Sequence, residues 1–510
     1  MCVAQQSPSR FSLEARDASL DRPSSNSAIE ILIKSDSVWV AGGKGLNLTT
    51  DGGATWRFFG DAAPFDKEDI ASLDAVGPVM WASLAGSEKI DNTTTLPKGL
   101  GLASSTDNGA TWTRMPQPME KSGDSTFILT YGANRLKALA ITTEFNNITY
   151  DLSVSPGAVW TASFAGGLRR STDNGKTFLP VVLPPDNLDS IRVTDTLSFD
   201  LSPVDRPDFW NLAGTQKGMR GNLNHRVFSV LAITDSLVWV GTAGGVNVTT
   251  DAGNSWRKCT FTNQFDPISG NFVVALGRNV IGGVEHIWAA TINALEPLEY
   301  RAVSVTTDMG RSWTKSLRGE FTHNFGFKGP VAYAATNSGI LRSDDAGRTW
   351  SQHSVFYDKV SRNRSTDPAC YAAASQGDIV WVANADGLMK TEDSRQKFFG
   401  DEWTIFRAAQ PADTPESAYA YPNPFSPSEE VCRVHFRMGA GGTVSIEIYD
   451  FGMLPVHTVL RNAQRLPGKE YDEIWDGKNN DGTQVANGIY YLRVTIGDGE
   501  PAWAKVIVLQ

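Results

Sequence analysis

A short polar motif recurs seven times along this chain, and its recurrence constrains the fold more than any other feature. The first copy reads Thr49-Thr50-Asp51-Gly52-Gly53-Ala54-Thr55-Trp56, and the shared pattern is Ser/Thr-x-Asp-x-Gly-x-Thr/Ser-Trp/Phe. The six complete copies are centred on Asp51, Asp107, Asp173, Asp251, Asp308 and Asp345. A seventh copy, Thr391-Glu392-Asp393, has Arg395 in place of the glycine and takes Phe398 or Trp403 as its aromatic residue. Such recurrence predicts a repeat architecture in which neighbouring units bury one another's apolar faces.

Each position of the motif has a physical role in a tight turn. The aspartate accepts hydrogen bonds from the backbone N–H groups that follow it, and the glycine adopts a positive φ. The aromatic residue offers apolar area to a neighbouring unit. Three short β-rich runs precede the first copy, Ile31–Lys34, Val38–Gly43 and Gly45–Thr49. Each unit is therefore predicted to have four antiparallel strands, which is one propeller blade.

The motif resembles the Asp-box, or BNR, repeat of sialidases, sortilin-type receptors, xyloglucan-degrading glycosidases and a photosystem assembly factor. The resemblance covers roughly residues 28–410 and implies an all-β fold with a seven-bladed β-propeller. In those families the boxes lie on the turn between the third and fourth strands, away from the ligand-binding face. The resemblance thus implies a structural role for the six box aspartates named above. Because enzymes, receptors and assembly factors share the box, it does not fix an activity.

Composition narrows the class of partner. The net charge of −10 argues against a nucleic-acid partner, which requires clustered Lys and Arg. No apolar run approaches the ~20 residues that span a bilayer. The four cysteines have neither metal-binding nor redox spacing, and we expect no metal and no cofactor.

The N-terminal segment 1–27 is polar and lacks periodicity, so we expect it to be disordered. It has no apolar core of a signal peptide. Two interpretations remain open: a signal peptide missing from this chain, with Cys2 as a candidate lipidation site, or a cytoplasmic protein. We favour an extracellular or cell-surface location.

A second domain is predicted after a Pro-containing linker at 411–417. Residues 418–510 contain strands with a period of two, which indicates a small β-sandwich. The segments Tyr421–Pro427, Ile474–Gly482 and Ala504–Leu509 resemble the Ig-like module of flagellar hook-capping proteins and of type IX secretion sorting domains. That resemblance implies a role in sorting or attachment and a possible contact with secretion machinery.

Ligands are expected on the face opposite the boxes, where the sequence has insertions at 86–98, 185–225, 291–301 and 357–370. The candidate ligand-binding residues on these insertions are Asp205, Trp210, Glu296, Tyr300 and Arg301. Carboxylates at 205, 208, 296 and 299 are of the type that a glycosidase pairs across a cleft, and the aromatic residues can stack on a sugar. Solvated loop carboxylates explain the same residues, and no catalytic residue is assigned. Arg206, Arg301, Arg362 and Arg364 lie on different insertions, so their convergence into an anion site cannot be derived from sequence.

The sequence therefore predicts an all-β protein, a seven-bladed propeller followed by an Ig-like sandwich. It favours a secreted or surface-bound bacterial binding or scaffold protein with a glycan or protein ligand. The alternative is an extracellular glycoside hydrolase, sialidase- or xyloglucanase-like, that uses the loop carboxylates.

Overall fold

The computed structural model of the chain describes residues 22–60, 63–91, 94–121, 123, 125–206, 219–360, 363–365, 367–407, 418–428, 430–497 and 499–509. Within them the protein is all-β, as predicted, with one short 3-10 helix and no α-helix. No helix of this part of the chain is long and apolar enough to cross a membrane. The predicted linker 411–417 and residues 1–21 of the N-terminal segment lie outside the described residues.

The described residues form two compact units. One comprises the chain up to Ser354 together with Asp367–Leu388, and the other comprises Val355–Thr366 together with the chain from Met389 onward. The predicted domain boundaries at 410 and 418 remain a prediction.

The first unit is built from sets of four consecutive strands that pair antiparallel in chain order. The first two sets are β1 (Ala28–Lys34), β2 (Ser37–Gly42), β3 (Gly45–Thr49), β4 (Arg57–Phe58), β5 (Asp69–Val76), β6 (Val79–Lys89), β7 (Thr95–Ser105) and β8 (Thr113–Met115). An additional hairpin and the third set follow as β9 (Thr126–Tyr131), β10 (Asn134–Leu139), β11 (Thr149–Ser155), β12 (Ala158–Ser163), β13 (Gly167–Ser171) and β14 (Leu179–Pro180). The hairpin was not foreseen from the sequence.

The insertion at 185–225 contributes edge strands. It contains β15 (Ser190–Arg192), β16 (Asp200–Leu201) and the 3-10 helix η1 (Leu223–His225). The fourth set is β17 (Val227–Ala232), β18 (Val238–Thr242), β19 (Gly245–Thr249) and β20 (Ser255–Cys259). β15 pairs with β20, and β16 pairs with β10, so the described part of this insertion extends two sheets.

The fifth and sixth sets complete the regular part of the first unit. They are β21 (Phe272–Ile281), β22 (Val284–Ile292), β23 (Ala302–Thr306), β24 (Thr314–Ser316), β25 (Thr322–Lys328), β26 (Val331–Thr336), β27 (Gly339–Ser343) and β28 (Ser351–His353). After the hairpin β29 (Phe356–Asp358) and β30 (Asn363–Ser365) come β31 (Cys370–Gln376), β32 (Ile379–Asn384), β33 (Gly387–Glu392) and β34 (Thr404–Phe406). β31 and β32 pair antiparallel within the first unit.

The first strands of successive sets lie side by side in a cyclic order. β1 contacts β5, β5 contacts β11, and the order continues through β17, β21 and β25 to β31. β31 in turn contacts β1. Strands that surround a common axis in this way are the arrangement of a β-propeller.

The box aspartates form hydrogen bonds within their own turns, between the third and fourth strands. Asp51 accepts the backbone N–H of Thr55 at 2.9 Å and the Thr55 hydroxyl at 2.5 Å. The Thr49 hydroxyl donates to Asp51 at 2.9 Å and accepts the N–H of Gly53 at 2.8 Å. The Thr55 hydroxyl bond is the main reason that the pKa of Asp51 falls to about 2. The same bonds recur at Asp107, Asp173, Asp251, Asp308 and Asp345.

Five of the six boxes also pack on the set before them, through a tryptophan in the second strand of that set. The ring pairs, with centroid separations of 6.0 to 6.4 Å and nearly perpendicular planes, are Trp112–Trp39, Phe178–Trp81, Trp313–Trp239, Trp350–Trp288 and Trp56–Trp381. The last pair joins the first box to β32. The boxes therefore contribute to the core between neighbouring sheets.

The seventh motif copy makes a longer turn in the second unit. The Thr391 hydroxyl accepts the N–H of Gly400 at 3.2 Å, nine residues along the chain rather than four. Trp403 is buried and meets Phe356 edge-on at 4.8 Å, whereas Phe398 is 78% exposed. Of the two aromatic candidates for this copy, Trp403 is therefore the one that is buried.

The second unit ends in two sheets that enclose one core. They are formed by β35 (Tyr419–Tyr421), β36 (Cys432–Arg437), β37 (Gly442–Tyr449), β38 (Pro455–Arg465), β39 (Glu470–Trp475), β40 (Gly488–Ile496) and β41 (Ala502–Val508). The pairing orders are β35-β36-β39 and β38-β37-β40-β41. Alternate residues of both sheets, such as Val434, Ile446 and Leu492, are buried around Trp475, which explains the period of two in the sequence.

Candidate functional site

Each first strand that surrounds the axis carries one β-bulge at the same place, near its start. The residues left unpaired by the seven register shifts are Ile29, Ala71, Tyr150, Phe228, Val274, His323 and Tyr371. All seven, called here the bulge ring, line one open cavity of about 440 Å³. Bulges commonly re-aim side chains next to functional sites. The repeated bulge therefore points one side chain from every first strand into a shared space.

Aromatic residues dominate part of this ring. Phe228 packs on Phe272 at 4.4 Å between ring centroids and on Tyr150 at 5.7 Å. His323 packs on Phe321 at 4.8 Å and on Tyr371 at 4.9 Å. These six residues are called here the aromatic collar, and they lie at or just before the starts of their strands. Because consecutive strands are antiparallel, this end of the sheets also carries the connections between second and third strands.

Three carboxylates line the same cavity: Glu30, Asp74 and Asp151. Burial, together with the charge of Asp151, raises the pKa of Glu30 to about 8. Burial likewise raises the pKa of Asp151 to about 7 and that of Asp74 to about 6. Among the described residues that line the cavity there is no Lys or Arg.

Two of these carboxylates bind backbone groups of the next set. Asp74 accepts the N–H of Val154 at 2.8 Å, and Asp151 accepts the N–H of Val230 at 2.9 Å. First strands of different sets belong to separate sheets, so these N–H groups have no strand partner and need side-chain acceptors. Part of the role of Asp74 and Asp151 is therefore structural.

Glu30 is held differently. Its carboxylate accepts the side-chain N–H of Asn324 at 3.0 Å and the N–H of Ile31 at 3.2 Å. Asn324 belongs to the sixth set, so this bond does not join adjacent sets. Glu30 thus reaches past the neighbouring first strand, β31, into the space that the bulge ring encloses.

The predicted loop candidates that the structure describes lie outside the cavity lining. Asp205 accepts the backbone N–H of Gly221 at 2.8 Å, within its own connection between the third and fourth sets. Trp210, Asp208 and Arg362 lie outside the described residues. Arg206 forms a backbone bridge with Met219.

The other three candidates lie together in the connection between β22 and β23. Glu296 is exposed, the guanidinium of Arg318 covers the Tyr300 ring at 4.1 Å, and that of Arg301 lies 5.8 Å from the Phe321 ring. Neighbouring Glu299 is buried and accepts from Asn271 at 2.6 Å and from the backbone N–H of Ala294, so both of its oxygens already have partners. Among the described residues, no hydrogen bond or ion pair joins Asp205 to this group.

The bulge ring was not among the sequence-based candidates. An alignment of the first strands could have revealed it in the sequence. That alignment places the residue pairs Ile29-Glu30, Tyr150-Asp151, Phe228-Ser229 and His323-Asn324 at equivalent positions. The side chain after the bulge is polar in each of these pairs.

Comparisons with known proteins give weak likenesses. No family model matches the chain. A 121-residue stretch is 28% identical to vacuolar protein sorting/targeting protein 10 of Sordaria macrospora, which is 23% of this chain and only 8% of that relative.

Three solved structures show the range of similarity. YCF48 from Cyanidioschyzon merolae has a TM-score of 0.43 at 14% identity, over 73% of this chain and 97% of that one. PorZ, a bacterial surface component of the type IX secretion system of Porphyromonas gingivalis, has a TM-score of 0.27 at 12% identity. The match covers 95% of this chain and 87% of PorZ. BamB from Moraxella catarrhalis has a TM-score of 0.35 at 10% identity, and the match covers 75% of this chain and 98% of BamB. Scores this low add no argument to the geometry above.

Proposed function

We propose that this chain is a secreted or cell-surface bacterial binding or scaffold protein that recognises its ligand at the mouth of the bulge-ring cavity. The observation that carries this proposal is the repeated bulge, which directs a side chain from each of seven strands into one space. A bulge re-aims a side chain and is frequent next to functional sites, so seven bulges around one cavity favour a shared recognition surface.

The finer architecture belongs to the same proposal. Residues 28–410 form a seven-bladed Asp-box propeller, in which the six regular sets are joined by β31 to β34 as the seventh blade. The cyclic order of first strands and the contact between Trp56 and Trp381 support this closure. Residues 418–510 follow the linker as an Ig-like module, which the two-sheet core around Trp475 supports.

A binding role accounts for the contrast between the two ends of the strands. The turns between third and fourth strands use their polar side chains for internal hydrogen bonds, as at Asp51 and Asp345. The opposite end presents aromatic side chains around an open cavity, and Tyr150 remains 37% exposed there. Aromatic faces beside polar groups suit glycans as well as peptides.

Binding to glycan and peptide arrays tests the proposal. We expect the full chain to bind at least one class of ligand on the arrays. The double substitution Tyr150→Ala and Tyr371→Ala should weaken that binding by at least about tenfold, because two rings of the aromatic collar are lost. Phe398→Ala is the matched control, since it removes an exposed aromatic ring that does not line the cavity. Binding that survives the double substitution contradicts the proposed site. Turnover of a bound glycan points instead to the glycoside hydrolase alternative.

The C-terminal module is proposed to serve sorting or attachment through secretion machinery. Deleting residues 418–510 in the native host is expected to leave the protein inside the cell or to release it from the surface, with ligand binding unchanged. Cell fractionation measures the first effect and the arrays measure the second. Normal delivery combined with lost ligand binding contradicts this division of roles.

A further inference from the structure

We infer that the bulge-ring cavity binds a cationic group, of the kind carried by a lysine or arginine side chain of a partner polypeptide. This inference rests on the proposed function and names the chemistry of the ligand at the same site. It is carried by the shape of the cavity, by the collar and by the charges that line it.

The cavity has the size and lining of a binding pocket. Its volume of about 440 Å³ is within the range of about 300–1,000 Å³ that is usual for ligand pockets. Tyr150, Phe228 and Tyr371 line it from three different strands, so aromatic rings form part of its wall. Ammonium and guanidinium groups are attracted to the faces of aromatic rings.

The charges of the lining select for a cation. Glu30, Asp74 and Asp151 all line the cavity, and no Lys or Arg is among the described residues that line it. Arg226 and Arg301 lie over the outer rings of Phe164 and Phe321, at 5.4 and 5.8 Å, and neither lines the cavity. Carboxylates enclosed together without a counter-charge are costly when ionised, and a bound cation removes that cost.

Binding and protonation are therefore linked. The titratable groups that face the cavity are Glu30, Asp74, Asp151, His323, Tyr150 and Tyr371. Burial holds the pKa of the three carboxyls between about 6 and about 8 and lowers the pKa of His323, which disfavours the imidazolium that could balance them. A cation favours the ionised carboxylates, so its affinity should rise as the pH increases from 6 to 8.5.

The experiment compares two fluorescein-labelled decapeptides of glycine and serine, one with a central lysine and the other with norleucine. Norleucine keeps the aliphatic stem and removes the charge. With the full chain at pH 8.5, fluorescence anisotropy should show at least about tenfold tighter binding of the lysine peptide, and a weaker preference at pH 6.

Glu30→Gln should reduce the preference for lysine by at least about fivefold, because one carboxylate is replaced by an uncharged group of similar shape. Glu285→Gln is the matched control, because Glu285 lies near the start of β22, outside the cavity lining, and pairs with Arg278. It should leave the preference unchanged, and circular dichroism should confirm that both variants are folded.

Two outcomes overturn the inference. If both peptides bind equally and Tyr371→Ala weakens both, the cation selectivity is wrong while the proposed site stands. If neither peptide binds, the cationic ligand is wrong, and the array result alone decides the proposed function.

Discussion

Replacing Gly175 by Ala is expected to lower the free energy of unfolding by about 2–4 kcal/mol, because the new methyl group has no space. A Cβ at this position would lie 2.2 Å from the buried ring of Trp81 and 2.6 Å from the sulfur of Met115. Gly175 also has φ of +80°, which L-residues rarely adopt. Since Trp81 is fixed edge-on against Phe178, the ring cannot move away without disturbing the core between two sheets. Chemical denaturation of the full chain measures the change.

Gly253→Ala separates the clash from backbone strain. Gly253 occupies the same box position in the fourth set with φ of +92°, but the nearest atoms to its Cβ would be 3.6 Å away. We expect it to cost only about 1 kcal/mol, the strain of the left-handed conformation alone. Equal losses in the two variants would show that the clash with Trp81 and Met115 is relieved at no cost in stability.

The sequence predicted the repeat well because the box is a local structure. Its hydrogen bonds join residues two to four positions apart, as from Thr49 to Asp51 and from Asp51 to Thr55, so a short motif specifies the turn completely. The all-β class and the alternating strands of the C-terminal region followed from periodicity for the same reason. At the seventh copy the motif has lost its glycine, and the sequence alone did not decide between Phe398 and Trp403.

The candidate site was not predicted, because it depends on contacts between distant parts of the chain. Glu30 and Asn324 are 294 residues apart and meet only when the first strands surround one axis. A bulge leaves no mark in composition, and residues such as Ile29 and Ala71 resemble ordinary strand residues. Sequence reasoning instead selected conspicuous charges on insertions, such as Glu296, which lies outside the cavity lining.

Glu30→Gln is expected to stabilise the protein at high pH and to have little effect at pH 5. The pKa of Glu30 rises from 4.5 to about 8 on folding, so the folded state holds a proton that the unfolded state releases. Stability from this group is therefore present at low pH and is lost as the pH rises from 4.5 through 8. Glutamine carries no charge at any pH and keeps an oxygen that accepts from Asn324. At pH 9 we expect a gain of about 1–3 kcal/mol, less than the full pKa difference implies because the side chain also meets water in the cavity.

Urea denaturation of the wild-type protein and of Glu30→Gln at pH 5 and pH 9 measures the difference in their free energies of unfolding. Glu285→Gln is again the control: its carboxylate is partly exposed and paired with Arg278, so its loss should change stability by less than about 1 kcal/mol at either pH. A Glu30→Gln variant that is less stable at pH 9 would mean that the ionised carboxylate already has a favourable partner in the free protein. In that case the cavity would carry no uncompensated negative charge, and a cationic ligand would lose its electrostatic basis.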